Sequence, residues 1–282
     1  MSERTVQKTW KSKPTMEGAG VRLHRAFGNA EAGKIDPFLL LDDFYSDDPD
    51  DYMAGFPWHP HRGIETVTYM LRGSVAHEDS LGNKGVISDG DVQWMTAGSG
   101  IVHSEMPQRD PEYLRGLQLW VNLPSSRKMM PPRYRDITSS MVPVVEQTGG
   151  VKLRVICGEV DGVKGPALDI VASPEYLDIE IPAGSTFSRE TPAGHTVFAY
   201  VLEGMLELPG GKDKTAGRVT LVLLGDGTLV RFGAAEEGAR FLLVSGKPLR
   251  EPIAWAGPIV MNTDEELRIA FEEYRDGTFL KG

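Results

Sequence analysis

Six histidines occur in this 282-residue sequence, and three of them fall into two short motifs of matching spacing. His59 and His61 flank a single proline in GFPWHPHRGIETVTYMLRGSV, and His103 and Glu105 lie two apart in SGIVHSEMP. Strand side chains alternate between faces, so residues two apart point the same way with Cα atoms roughly 6.5–7 Å apart. That separation lets two imidazoles converge on one metal ion. Glu65 has the same parity as His61 and enters as a further candidate carboxylate. Imidazole and carboxylate without thiolate suit iron, manganese, nickel, copper or zinc. A lone His-x-His pair is a weak signal, whereas two same-face pairs drawn from six histidines are a stronger one. The remaining histidines fit less well. His24 reads as structural, His77 as an exposed or supporting residue beside a hairpin, and His195 has the wrong parity for a ligand.

The elements that must position these residues are short runs rich in Val, Ile, Thr, Tyr and Phe, such as VRLHRAF, IETVTYML, DVQWM, LQLWVNL, KLRVICGEV, TVFAYVLEG, VTLVLL and RFLLVS. Each has a strand's length and is bounded by turn residues, which predicts an all-β sandwich or barrel. DSLGNKG (79–85) and LPGGKDKTAG (208–217) read as hairpin connections, because Gly and Asn tolerate positive φ. One helix is expected, in NTDEELRIAFEEYRDG. Thr263 and Glu266 form a capping box, Leu267, Ala270, Phe271 and Tyr274 share a face, and Gly277 provides the stop.

The two halves resemble each other. VTYMLRGSV (67–75) aligns with FAYVLEGML (198–206) at an offset of 131, and GDV at Gly90 with GDG at Gly225 at an offset of 135. The expectation is a duplicated barrel. The Pro- and Ser-rich stretch 123–150 places the boundary, giving units of 1–130 and 131–282. Under these offsets His59 and His61 become Glu190 and Pro192, and His103 and Glu105 become Gly238 and Arg240, so the second barrel lacks the ligand set.

Composition excludes several classes. A formal net charge of −10, without a basic run, argues against direct nucleic-acid binding. Cys157 is the only cysteine, so neither an intramolecular disulfide nor a thiolate cluster can form. This fits a reducing compartment. The first residues lack a signal peptide's apolar core, and no apolar run approaches the roughly 20 residues that span a bilayer. A cytoplasmic protein without a membrane partner is expected.

DPFLLLDDF, HPHRGIETVTYML, AHEDSLGNKG, QWMTAGSGIVHSEMP and GPIVMNTDEEL, in that order, resemble the pirin family of the cupin superfamily, from about Asp36 to the C-terminal helix. The resemblance implies two cupin β-barrels packed together as a bicupin, with one metal in the N-terminal barrel. It implies His59, His61, His103 and Glu105 as ligands, moves Glu65 to a supporting or pocket role, and makes Fe(II) the usual metal. It further implies quercetin 2,3-dioxygenase activity, the oxidative ring opening of a flavonol by O2. Glu105 would take the 3-hydroxyl proton. Phe56, Trp94 and Met95 are candidate pocket walls, and Trp58 would narrow the mouth. The alternative implied role is a redox-sensitive metal-binding regulator of a partner protein.

Overall fold

The computed structural model describes residues 1–110, 112–172, 174–209 and 214–281, which form 24 strands and one α-helix. They group into two compact units, Met1–Ser12 with Ser140–Pro248, and Lys13–Ser139 with Leu249–Gly282. This departs from a division at residue 130 at both termini. The strand β1 (Val6–Lys11) pairs with a strand of the second half, and the C-terminal segment belongs with the first half. Local periodicity carries no information about which distant partner a terminal segment chooses.

In the unit built around residues 13–139, strands β2 (Lys13–Glu17), β3 (Val21–Phe27), β4 (Phe38–Ser46), β5 (Phe56–His61), β6 (Ile64–Arg72), β7 (Val75–Asp79), β8 (Lys84–Ile87), β9 (Val92–Thr96), β10 (Ile101–Pro107), β11 (Leu114–Asn122) and β12 (Arg133–Ile137) form two antiparallel sheets. One runs β12-β9-β6-β11-β4-β3-β2 and the other β5-β10-β7-β8. β6 (IETVTYMLR) is buried through Met70 on both faces, which its β-branched and aromatic residues favour. The DSLGNKG connection forms as expected between β7 and β8.

In the other unit the strands are β13 (Val144–Gln147), β14 (Val151–Cys157), the short β15 (Glu159–Val160) and β16 (Val163–Lys164), β17 (Glu175–Ile181), β18 (Thr186–Glu190), β19 (Thr196–Glu207), β20 (Thr215–Gly217), β21 (Thr220–Leu224) and β22 (Leu229–Gly246). The main path, β1-β21-β19-β22-β17-β14-β13, repeats the seven-strand order of the first unit position for position. β19 takes the place of β6, and Tyr69 and Tyr200, aligned at the offset of 131, are both buried. Duplication is therefore visible in topology where sequence similarity is thin. β19 and β20 pair on either side of the second predicted hairpin, whose Gly210–Asp213 lie outside the described residues. Inside this unit Phe187 of β18 packs with Phe232 and Phe241 in an apolar core, and Glu190 is exposed.

Two short strands, β23 (Ala254–Ala256) and β24 (Ile259–Met261), lead into α1 (Asp264–Arg275). Thr263 and Glu266 make the predicted capping box, and Gly277 lies at φ +74°. The apolar face is narrower than expected. Ala270 is buried, but Phe271 and Tyr274 remain 40% and 41% exposed.

Three contacts fasten this C-terminal segment to the end of β5. The Val260 amide donates to the Arg62 carbonyl at 3.1 Å. Lys128 Nζ, buried, donates to the carbonyls of Gly63 and Val260, both at 2.9 Å, and to Asn122 Oδ1 at 2.7 Å. The Arg62 guanidinium donates to the carbonyls of Ser99 and Phe279 at 2.7 and 2.8 Å, pairs with Glu273 at 2.7 Å, and lies 4.1 Å from the Phe279 ring centroid. Gly63 itself sits at φ +78°, and a Cβ there would lie 2.0 Å from the Val260 carbonyl oxygen. Only glycine permits this close crossing.

Breaking a buried ion pair from one side leaves the other groups uncompensated. Arg62→Ala is expected to destabilise this unit by about 3 kcal/mol. Limited proteolysis should then cut the C-terminal helix before the barrel. An unchanged melting temperature and cleavage pattern would show that Arg62 does not hold the segment.

Candidate metal centre

β5 and β10 pair antiparallel, with His59 opposite His103 and His61 opposite Ile101. A register shift between His103 and Glu105 then places Glu105 opposite Phe56. Strand alternation and this pairing bring three rings together. Ring centroids are separated by 4.8 Å (His59–His61), 4.4 Å (His59–His103) and 5.0 Å (His61–His103). One nitrogen from each ring lies within 4.8 Å of the others. His61 and His103 are buried and His59 is half-buried.

The outer ring nitrogens fix the tautomers. His59 Nδ1 lies 2.8 Å from the Pro57 carbonyl and His61 Nδ1 lies 2.9 Å from the Pro258 carbonyl. A carbonyl only accepts, so both Nδ1 atoms carry hydrogen and both Nε2 atoms are turned towards the cluster. Those two Nε2 atoms are 3.1 Å apart. The buried Nε2 of His103 has no hydrogen-bond partner. Burial, reinforced by the neighbouring imidazoles, holds the His61 pKa down to about 3 and that of His103 well below its ordinary value. Two neutral rings and a third whose Nε2 faces them fit a cation at their centre. Metal-binding histidines are commonly oriented in this way through their other nitrogen.

Glu105 lies beside this cluster but not among the three mutually close donors. It is buried, accepting from Thr68 Oγ1 and from Gln118 Nε2, each at 2.9 Å. Thr68 and Gln118 are also opposite each other in the β6–β11 ladder. Glu65 departs from the supporting or pocket role expected for it. It lies on the opposite face of β6 from Thr68, accepts from Thr96 Oγ1 at 2.7 Å, and is paired with Thr96 in register. Parity carried from His61 to Glu65 fails because the chain turns at Gly63 and passes from one sheet to the other.

A cavity of about 560 Å³ opens onto His59 and His61. Phe56, Trp58, Trp120 and Trp255 supply its aromatic walls, and Glu17, Arg25 and Asp42 a charged one. Trp58 is 51% exposed at the mouth. Arg25 donates to both Asp42 oxygens at 2.8 and 2.7 Å and to Glu17 at 2.7 Å. The Trp120 ring meets the His61 ring edge-on at 5.0 Å and the Trp255 ring at 5.9 Å. Of the proposed walls, Phe56 lines the cavity. Trp94 does not, since its register partner Val67 shares the outward parity of Glu65. Met95 packs inside the barrel with Ile64, Ile101 and Trp120. The parity of Gln118 and Trp120 in LQLWVNL offered a clue to their shared face. Nothing local announces Trp255 or Pro258, which come from nearly 200 residues downstream.

His77, expected to be exposed or supporting, is buried beneath the cluster. His24 and His195 lie outside it. No helix is long and apolar enough to cross a membrane among the described residues.

The pirin family profile matches residues 20–121, and that of the pirin C-terminal cupin domain matches residues 176–280. A Pseudomonas aeruginosa protein, provisionally named a quercetin 2,3-dioxygenase, is 47% identical over 94% of each chain. Human pirin is 41% identical over 94% of this chain and 90% of its own. The crystal structure of a quercetin 2,3-dioxygenase from Acinetobacter baumannii superposes with a TM-score of 0.88 at 34% identity, covering 99% of both chains.

Burial raises the Glu65 pKa to about 7, outweighing the hydrogen bonds from Thr96 and Trp94 that pull it down. The folded state therefore binds this proton more tightly than the unfolded chain does. The resulting stability is complete below the ordinary carboxylate pKa and is lost as pH rises to about 7, costing on the order of 3 kcal/mol. Glu65→Gln should remove this part of the slope. Denaturant melts at pH 5 and pH 8 are expected to show the variant gaining on the parent at the higher pH. Parallel curves would refute the assignment.

Proposed function

The chain belongs to the pirin family, with two cupin domains, and on that premise we propose that it is a metal-dependent dioxygenase that opens the ring of a flavonol such as quercetin using O2. The observation that carries this reading is the convergence of three imidazole nitrogens, two of them 3.1 Å apart. His59, His61 and His103 would hold the ion, with Glu105 as the fourth ligand. We take Fe(II) as its identity. Nitrogen and oxygen donors equally admit nickel, manganese, copper or zinc. When bound, the ion supplies Lewis acidity and one-electron chemistry towards O2.

The chain's own residues account for the rest. The walls of Phe56, Trp58, Trp120 and Trp255 suit a planar aromatic ring system. The carboxylates of Glu17 and Asp42 can accept hydrogen bonds from phenolic hydroxyls. Glu105 accepts the proton of the flavonol 3-hydroxyl, held in place by Thr68 and Gln118. Both oxygen atoms of O2 enter the opened product, and carbon monoxide leaves.

Metal analysis and oxygen uptake test the reading together. The purified protein is expected to carry one ion and to consume O2 with quercetin, while His61→Ala and His103→Ala lose both. Stoichiometric metal in His61→Ala would sink the ligand assignment. Metal binding without oxygen uptake would favour the regulatory role instead. Trp120→Ala should retain metal and raise KM for quercetin about tenfold or more, since a stacked aromatic pair adds to the binding that area burial gives.

A further inference from the structure

The outer nitrogens of His59 and His61 are oriented by backbone carbonyls, but that of His103 is not. We propose that His77 and Asp79 are positioning residues that fix the tautomer of His103, so that the β7–β8 hairpin sets the strength of the metal site. This rests on reading the three-histidine cluster as that site.

β7 lies beside β10 with Asp79 opposite His103 and His77 opposite Glu105. The side chains of His77 and Asp79 are fully buried. His77 Nε2 lies 3.4 Å from Asp79 Oδ2, and His77 Nδ1 lies 3.5 Å from His103 Nδ1. A carboxylate only accepts, so His77 Nε2 carries the hydrogen. In a neutral imidazole the other nitrogen is then an acceptor. His77 Nδ1 therefore receives the hydrogen of His103 Nδ1. The Nε2 of His103 is left with a lone pair facing the other two rings. Reversing His103 would set two lone pairs against each other at 3.5 Å and drive an N–H into the cluster.

The hairpin turn anchors the start of this chain. Asp79 Oδ1 accepts from the amides of Leu81 and Asn83 at 2.9 and 3.0 Å, and Oδ2 accepts from Asn83 Nδ2 at 2.8 Å. Tyr134 stacks on His77 at 4.9 Å and 27°, and its own hydroxyl is held by Gln93 and Asp136. The turn residues Asp79 and Asn83 thus serve both the hairpin and the site. The relay contacts are longer than the 2.8 and 2.9 Å carbonyl anchors of the other two histidines. Losing them should weaken metal binding without abolishing it.

His77→Phe preserves the ring stacked on Tyr134 and removes both nitrogens. Asp79→Asn preserves shape but offers an N–H where His77 needs an acceptor. Chelator competition is expected to show metal bound about 10–100-fold more weakly in both variants, the range typical of lost outer-shell partners. His103→Ala should bind none. Long-range ¹H–¹⁵N spectra of the metal-free protein, labelled at histidine, should show His103 as the Nδ1–H tautomer, shifting towards Nε2–H in Asp79→Asn. Unchanged affinity in a folded His77→Phe protein would overturn the proposal, as would a His103 tautomer indifferent to residue 79. If the parent protein takes up no metal, the metal reading fails on its own and the spectra still decide the relay.

Discussion

Three imidazoles crowd their ring nitrogens together at this site, and burial keeps two of them, His61 and His103, neutral. This constraint organises the first unit. Each ring has to be held from behind, at its outer nitrogen, by a group that can only accept or that has been made to accept. Pro57 supplies such a group to His59 from within the same strand. Pro258 supplies it to His61 from the C-terminal segment. His103 turns instead towards a side chain, His77, itself oriented by a carboxylate in a tight turn.

The C-terminal segment is therefore part of the site rather than an appendage. Its carbonyl at Pro258 orients a ring, and its Trp255 forms a wall of the cavity. Arg62 and Lys128 fasten it to the bend that follows HPH. The two residues next to His61 in sequence, Arg62 and Gly63, thus create the crossing that brings the segment within reach. Gly63 lets the backbones approach, and Arg62 gathers the helix and the last turn.

The two units show how one topology carries different contents. Both use the same seven-strand order. In one, inward positions on the short sheet hold imidazoles and a carboxylate. In the other, Phe187, Phe232 and Phe241 fill the interior with apolar rings. Strand order is set by main-chain pairing and by the alternation of apolar residues, and both tolerate such an exchange.

By itself the sequence determined the strand class, the capped helix, the duplication and the same-face pair at 59/61. Apart from the duplication, these depend on residues within one element, where a period of two or 3.6 governs which side chains share a face. Parity stopped being a guide at Gly63, and Glu65 fell on the far side for that reason. The tertiary structure alone decided what lies behind each ring. It also decided which tryptophans form the cavity and to which unit each terminus belongs. Such matters turn on contacts between segments far apart in sequence, Arg62 and Phe279 among them, made by backbone carbonyls and buried polar side chains. A carbonyl is the same in every residue, so its role leaves no trace in local composition and appears only once the chain has folded.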